Sequence, residues 1–401
     1  MAMAVDKNGK KLPAGITQRP DGRYMGRFQY NGQQYTIYHK TSVKQLQKAM
    51  NDMKYELEHG LYANSKDIAV NEWFKMWMSE YKENTLKQST FDMYCTYYDL
   101  YIKKSIGKIL LQNLKPIHIQ KIYNDMAKRG KKENTIKKVN IVINGMLNQA
   151  VRNEIIVKNP CVSVEIPKSE KKERRVLSQR EQDEFLSFVR NSEKWKRYNT
   201  LFTVALGTGL RIGELLALNW SDIDFKNGII RVSKTVQYLK NNETGSMEAV
   251  MQTPKTKTSK REIPLLDSIS AILRKYKIEQ QQLKWKLGDK WKPLEKDGFR
   301  DLVFTTEFGK PIDRSNVPSV IRRILKDLNK DREEGVFEVF TPHSLRHTFA
   351  TRCFENGIPP KVVQGYLGHS TIQMTMDLYT HVMKDVQQDE IKKIDKLFKM
   401  V

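Results

Sequence analysis

The chain has 401 residues and carries 70 Lys and Arg against 46 Asp and Glu, a formal net charge of +24. That length excludes one ordinary domain, and that charge points to a polyanion, either nucleic acid or an anionic membrane surface. No run of about 18 apolar residues offers a membrane span, the N-terminus MAMAVDKNGKK lacks the apolar core of a signal peptide, and Cys95, Cys161 and Cys353 are spaced like reduced structural thiols of a cytosolic protein rather than metal ligands.

The basic residues are spread along the chain, which predicts several nucleic-acid-facing surfaces rather than one basic tail. Residues 15–38 read as a small antiparallel sheet, with turn signals at Asp21-Gly22 and Asn31-Gly32. In its middle strand Tyr24, Phe28 and Tyr30 alternate with Arg23, Met25, Arg27 and Gln29. A helix from Ser42 to His59 offers Leu46, Met50, Met53 and Leu57 to cover the aromatic face, leaving the Arg23 and Arg27 face free for a DNA groove. Gly60 ends that helix and Leu61 to Lys66 reads as a linker. Residues 67–160 are helical in pattern, with a stripe of Trp73, Phe74 and Trp77 continued by Tyr94, Tyr97, Tyr98 and Tyr101. Pro116 opens a helix that Gly130 closes, followed by the exposed run Lys128, Arg129, Lys131 and Lys132, candidate phosphate contacts. Asn134 to Ile156 is a further amphipathic helix with Ile136, Val139, Ile143, Leu147 and Val151 on one side.

Lys168 to Arg175 has no apolar period and reads as a hinge. Ser178 then starts a helix with Glu181 in a capping box. Tyr198 to Leu218 is a long apolar helix interrupted at Gly207-Thr208-Gly209. Ile229 to Gln237 and Val250 to Pro264 read as strands bracketing a polar hairpin, with Lys255, Lys257, Lys260 and Arg261 around the second bend. Helix returns at Asp267, and Lys284 to Asp297 reads as a surface insertion. Beyond Tyr379, Ile391, Ile394, Leu397 and Phe398 fall on one face of a last helix, an apolar face to be buried either by folding back on its own domain or by docking on a neighbouring protomer.

The chemistry concentrates between Thr341 and Tyr379, where His343, Arg346, His369 and Tyr379 follow one another, with Arg211 upstream in TGLRIGELLAL. Two guanidinium forks match the two non-bridging oxygens of a phosphodiester. A tyrosine can attack phosphorus and histidines can move the protons. A free phenol, with a pKa of about 10, is ionised to about one part in a thousand at pH 7, a deficit of roughly 4 kcal/mol that a base and a cationic pocket must supply. No P-loop and no Cys/His metal spacing is present in the sequence.

The segments TGLRIGELLAL, PKTKTSKREIPL, TPHSLRHTFAT and LGHSTIQMTMDLY closely resemble those of tyrosine recombinases, the integrases of temperate phages and conjugative transposons. The resemblance implies a multidomain α+β protein. Its parts would be an arm-type DNA-binding domain at 1–66, a three-stranded sheet plus helix with a linker; an all-α core-site DNA-binding domain at 67–167; a linker at 168–176; and a mainly α catalytic domain with a small antiparallel sheet and a C-terminal helix at 177–401. It implies a site-specific recombinase that integrates and excises a mobile element through a covalent 3′-phosphotyrosine. Tyr379 would be the nucleophile, Arg211 and Arg346 the phosphate clamp, His343 the base, and His369 a hydrogen-bond donor to the phosphate. Lys255 would protonate the leaving 5′-oxygen, with Lys257 and Lys260 as alternatives, and Glu214 would support Arg211. No metal, ATP or other cofactor is expected. The expected partner is double-stranded DNA carrying core-type and arm-type attachment sites, bound by a homotetramer in the bacterial cytoplasm. An excisionase and a host DNA-bending protein stand as candidate partners, and a membrane does not. The competing expectation is a catalytically inactive, sequence-specific DNA-binding regulator of the same fold, which needs a departure at one of these positions. None is present.

Overall fold

The computed structural model describes residues 4–7, 9–58, 68–169, 175–241, 244–253, 260–330, 332–333 and 335–380. The chain divides into two compact units, 1–171 and 172–401. The proposed linker at Leu61–Lys66, the stop at Gly60 and the helix beyond Tyr379 lie outside the described residues. No helix among the described residues is long and apolar enough to cross a membrane.

In the first unit, strands β1 (Ile16–Gln18), β2 (Tyr24–Tyr30) and β3 (Gln33–His39) form an antiparallel sheet in that order, and helix α1 (Val43–Glu58) follows. Alternation along β2 sets its two faces. Leu46 and Met50 of α1 bury against Ile16, with Tyr24, Phe28 and Ile37 packed alongside. Gly26 is needed there, because an added Cβ would stand 2.3 Å from the Met50 sulfur. Arg23 and Arg27 are exposed on the other face, as read from the sequence. Arg23, however, is paired with Asp21 at 2.7 Å.

The rest of this unit is helical: α2 (Val70–Trp77), α3 (Gln88–Tyr97), α4 (Lys103–Ile106), α5 (Pro116–Lys128) and α6 (Glu133–Arg152). Helix α2 runs into a π-helical turn at Met78–Lys82, and a second such turn, Tyr98–Ile102, joins α3 to α4. Trp73, Trp77, Tyr98 and Tyr123 fill the core against Ile136, Val139, Ile143 and Leu147 of α6. The buried indole of Trp73 donates to the Met146 carbonyl at 2.8 Å, and the Phe74 and Tyr98 rings stack 3.5 Å apart. The expected helix to Ile156 stops at Arg152 instead, since Glu154 has a φ of +57°, which no helix continues.

The second unit begins with α7 (Gln179–Asn191), whose Ser178 hydroxyl and Glu181 carboxylate exchange hydrogen bonds with each other's backbone N–H at 3.1 and 2.8 Å. The stretch read as one interrupted helix is two, α8 (Asn199–Thr208) and α9 (Ile212–Leu215), separated by left-handed Gly209. Each expected long strand is likewise two. Strands β4 (Ile223–Asp224) and β5 (Ile229–Val232) form a sheet with β8 (Arg261–Pro264) in the order β4-β5-β8, while β6 (Thr235–Lys240) and β7 (Met247–Gln252) make a separate hairpin. Thus two small sheets replace the one expected, because the chain changes pairing partner between Val232 and Thr235. Helix α10 (Asp267–Leu287) extends into the stretch read as an insertion, and Leu294 beyond it packs on the core. Trp291 also folds back, its ring 2.6 Å from where a Gly309 Cβ would stand. Helices α11 (Val317–Leu328), α12 (Pro342–Glu355) and α13 (Pro360–Leu367) and a helical stretch at 373–380 complete the unit. Its main core gathers Phe185, Phe202, Phe304, Ile321 and Phe340.

Candidate active site

Helix α8 is apolar on most sides and ends at Gly209, where a φ of +62° and a Phe349 ring 2.3 Å from a notional Cβ both demand glycine. The chain turns there and makes Arg211 the N-cap of α9. Glu214 accepts the Arg211 backbone N–H at 3.0 Å and its guanidinium at 2.8 Å. Arg261, at the head of β8, donates to the other side of the same carboxylate at 2.9 Å and to the Tyr366 carbonyl at 2.6 Å. Burial pushes the Glu214 carboxyl up, but Arg261 and then Arg211 outweigh it and hold its pKa below the ordinary value.

Arg346 lies in the second turn of α12 and is 3 % exposed. It donates to the Gly209 carbonyl at 2.9 Å and to the Leu367 carbonyl, while Arg211 donates to the Gly368 carbonyl at 3.2 Å. Two consecutive carbonyls therefore bring the two guanidiniums side by side. Among the described residues Arg346 is bonded to no carboxylate. Burial and then Arg211 lower its pKa to about 9, which leaves it a cation at neutral pH. Three neighbouring guanidiniums with one carboxylate among them leave unneutralised positive charge, which favours an anion beside them.

His369 follows Gly368 directly. It is 7 % exposed, and its Nδ1 lies 2.9 Å from the Thr375 hydroxyl. Burial, then Arg346 and Arg211, hold its pKa at about 3, so the ring is neutral at pH 7. His343, in the first turn of α12, keeps an exposed edge. Desolvation of the rest of its ring, then Arg346 and Arg211, lowers its pKa as well. The Tyr379 ring rests edge-on against Phe354 of α12, centroids 5.2 Å apart. That contact belongs to a small cluster of Ala350, Cys353, Phe354, Val363, Leu367 and Leu378, which packs the 373–380 stretch against the helix carrying His343 and Arg346.

The structure thus gathers Arg211, His343, Arg346 and His369 and seats Tyr379 on the same helix pair. Lys255 and Lys257 lie outside the described residues, and Lys260 is exposed. Lys128, Arg129, Lys131 and Lys132 are all exposed around left-handed Gly130 between α5 and α6. Two participants are absent from the sequence-based set. Arg261 stood within PKTKTSKREIPL, but nothing local marks a strand-initial arginine as buried. Thr375 carries no sequence signal beyond its place between His369 and Tyr379.

The chain matches the Phage integrase family over residues 175–385 and the Phage integrase, N-terminal SAM-like domain over residues 69–127. It is 33% identical over 348 residues to a XerC-like tyrosine recombinase of Caldanaerobacter subterraneus subsp. tengcongensis, covering 85% of this chain and 86% of that one. It is 24% identical to the transposase from transposon Tn916 of Enterococcus faecalis, over 98% and 96% of the two chains. In fold it is similar to the Tn1549 transposon integrase solved with transposon right end DNA, with a TM-score of 0.70 and 24% identity over 82% of this chain and 100% of that one. It is also similar to a lambda integrase dimer bound to a core site, with a TM-score of 0.55 and 18% identity over 92% and 95%.

Proposed function

The chain belongs to the phage integrase family and is a tyrosine-type site-specific recombinase, an integrase of a mobile element; on that premise we propose a residue-level mechanism. The Tyr379 oxygen attacks the scissile phosphorus, the P–O5′ bond breaks, and a 3′-phosphotyrosine and a free 5′-hydroxyl result. Neutral His343 takes the phenolic proton. A loop lysine, Lys255 in preference to Lys257 or Lys260, protonates the departing 5′-oxygen. Arg211 and Arg346 hold the non-bridging oxygens, and His369 adds a hydrogen bond. Negative charge on those oxygens grows in the transition state, so fixed cations stabilise it more than the ground state. The phosphotyrosyl bond keeps the energy of the broken linkage, and the reverse attack by a 5′-hydroxyl of another strand completes exchange without ATP.

The observation that carries this reading is Arg346, a buried cation beside Arg211 with carbonyls and, among the described residues, no carboxylate for partners. Two guanidinium forks side by side match the non-bridging oxygens of a phosphodiester. A nicked substrate built on the element's own ends tests it, since loss of the short strand past the nick traps the intermediate. The wild type should give a DNA adduct that survives SDS, and Tyr379→Phe should bind the substrate and give none. An adduct in that variant would pass the role to another tyrosine, Tyr366 first.

The partner is double-stranded DNA. Residues 1–66, with the exposed Arg23 and Arg27 face, bind arm-type sites, and 67–167, with the Lys128–Lys132 surface, bind core-type sites. Residues 168–176 link these to the catalytic domain at 177–401. Exchange between two duplexes involves four strand ends, which a homotetramer serves. An excisionase and a host DNA-bending protein would set direction, and the bacterial cytoplasm is where such DNA lies.

A further inference from the structure

We propose that Thr375 is the positioning residue for His369: its hydroxyl gives its proton to Nδ1 and thereby fixes the tautomer that carries hydrogen on Nε2. The inference rests on the reading of His369 as a phosphate donor and names what makes it one.

The Thr375 side chain is fully buried and its Oγ1 lies 2.9 Å from Nδ1 of His369. Two arrangements satisfy that distance. Either the hydroxyl donates to a bare Nδ1, or a protonated Nδ1 donates to the hydroxyl. The hydroxyl proton decides between them. Four helical threonines elsewhere in this unit give theirs to the carbonyl four residues back: Thr203 to Asn199, Thr208 to Val204, Thr348 to Ser344 and Thr380 to Met376. Thr375 has no such bond, because it sits at the start of its helical stretch. Among the described residues Nδ1 of His369 is the hydroxyl's hydrogen-bond partner. If Nδ1 kept the proton, a fully buried O–H would have no acceptor. The first arrangement satisfies both groups.

The ring is neutral at pH 7 and has one N–H to place. With Nδ1 accepting, that hydrogen is on Nε2, for which no hydrogen bond within the protein is seen among the described residues. His369 then can donate to an oxyanion but cannot take a proton from Tyr379. Proton acceptance falls to His343 alone, so one threonine divides the labour of two histidines.

Nitrogen NMR of the full-length protein with ¹⁵N-labelled histidine reads the tautomer directly, the His369 signals being assigned by their loss in His369→Asn. Wild type and Thr375→Ser should show a pyridine-type Nδ1 and a pyrrole-type Nε2, and Thr375→Val should shift both nitrogens towards averaged values. On the nicked substrate Thr375→Val should cleave roughly tenfold more slowly at unchanged DNA affinity, the worth of one hydrogen bond, and Thr375→Ser should stay within roughly threefold of wild type. A protonated Nδ1 in the wild type, or wild-type nitrogen shifts in Thr375→Val, overturns the proposal. If Thr375→Val does not fold, the wild-type spectrum still decides. Full cleavage by His369→Leu would instead remove the donor role of His369, whatever the tautomer.

Discussion

Glu214 is the carboxylate on which the arginine cluster depends, since Arg211 and Arg261 share it and Arg346 has none among the described residues. Replacing it by Ala removes the carboxylate that bridges Arg211 and Arg261, the latter with a side chain 6 % exposed. The expected loss is about 3–5 kcal/mol of unfolding free energy, measured by urea titration. A loss below about 1 kcal/mol would mean that the cluster relaxes around water instead. The titrations of Glu214 and His369 affect stability in different windows. The folded pKa of Glu214 is depressed, so its contribution is intact above the ordinary carboxylate value and fades only as pH falls through the folded value. His369 is depressed to about 3 from 6.5, so below 6.5 the unfolded chain takes a proton that the folded chain refuses. Stability should therefore already decline between pH 6.5 and 5, where Glu214 is still ionised, and His369→Asn should flatten that part of the curve. The lowered pKa of His343 carries a kinetic counterpart: the acid limb of single-turnover cleavage should lie below pH 6.5. A limb at or above 6.5 would take His343 out of the base role.

At the level of elements, the left-handed turn at Gly209 ties α8, α9 and α12 together, because its carbonyl receives Arg346. Gly209→Ala should cost both stability and cleavage, as a Cβ meets the Phe349 ring and the backbone must move with the clamp. Equal cleavage at lower stability would separate the turn from the clamp. What the sequence disclosed here was local. The Ser178–Glu181 box, the Pro116 start and the Gly130 stop are each decided within a few residues, and each is where it was expected. The strand runs were legible as extended but not as four pieces, because alternation continues unchanged while β5 pairs with β8 and β6 with β7. Arg261 was hidden for the same reason. Its burial comes from Glu214, 47 residues away, and from the Tyr366 carbonyl, 105 residues away, distances over which no periodicity speaks. The motif residues themselves could be singled out because phosphate chemistry restricts the side chains that can serve it.

Across the whole molecule, basic surface is distributed over both units rather than concentrated at the pocket. DNA affinity should accordingly fall steeply with salt, by about 10³–10⁵ between roughly 50 and 200 mM if some six to ten phosphates are engaged. Removing residues 1–66 should leave cleavage of a core-type site largely intact while abolishing binding to separate arm-type sites. Loss of all core-site affinity in the truncated protein would merge the two modules into one. The carbonyl that Arg346 grips at Gly209 was laid down 137 residues earlier in the chain. A ribosome therefore finishes the whole first unit, and much of the second, before the residues that complete the arginine cluster exist. On the proposed domain roles, growing chains and fragments that stop ahead of Thr341 lack Arg346, His369 and Tyr379 and should hold DNA without breaking it. On those proposed roles, damage to the coding sequence in this region would yield competitors for the site instead of uncontrolled nicks, a consequence of the order in which the pieces are made.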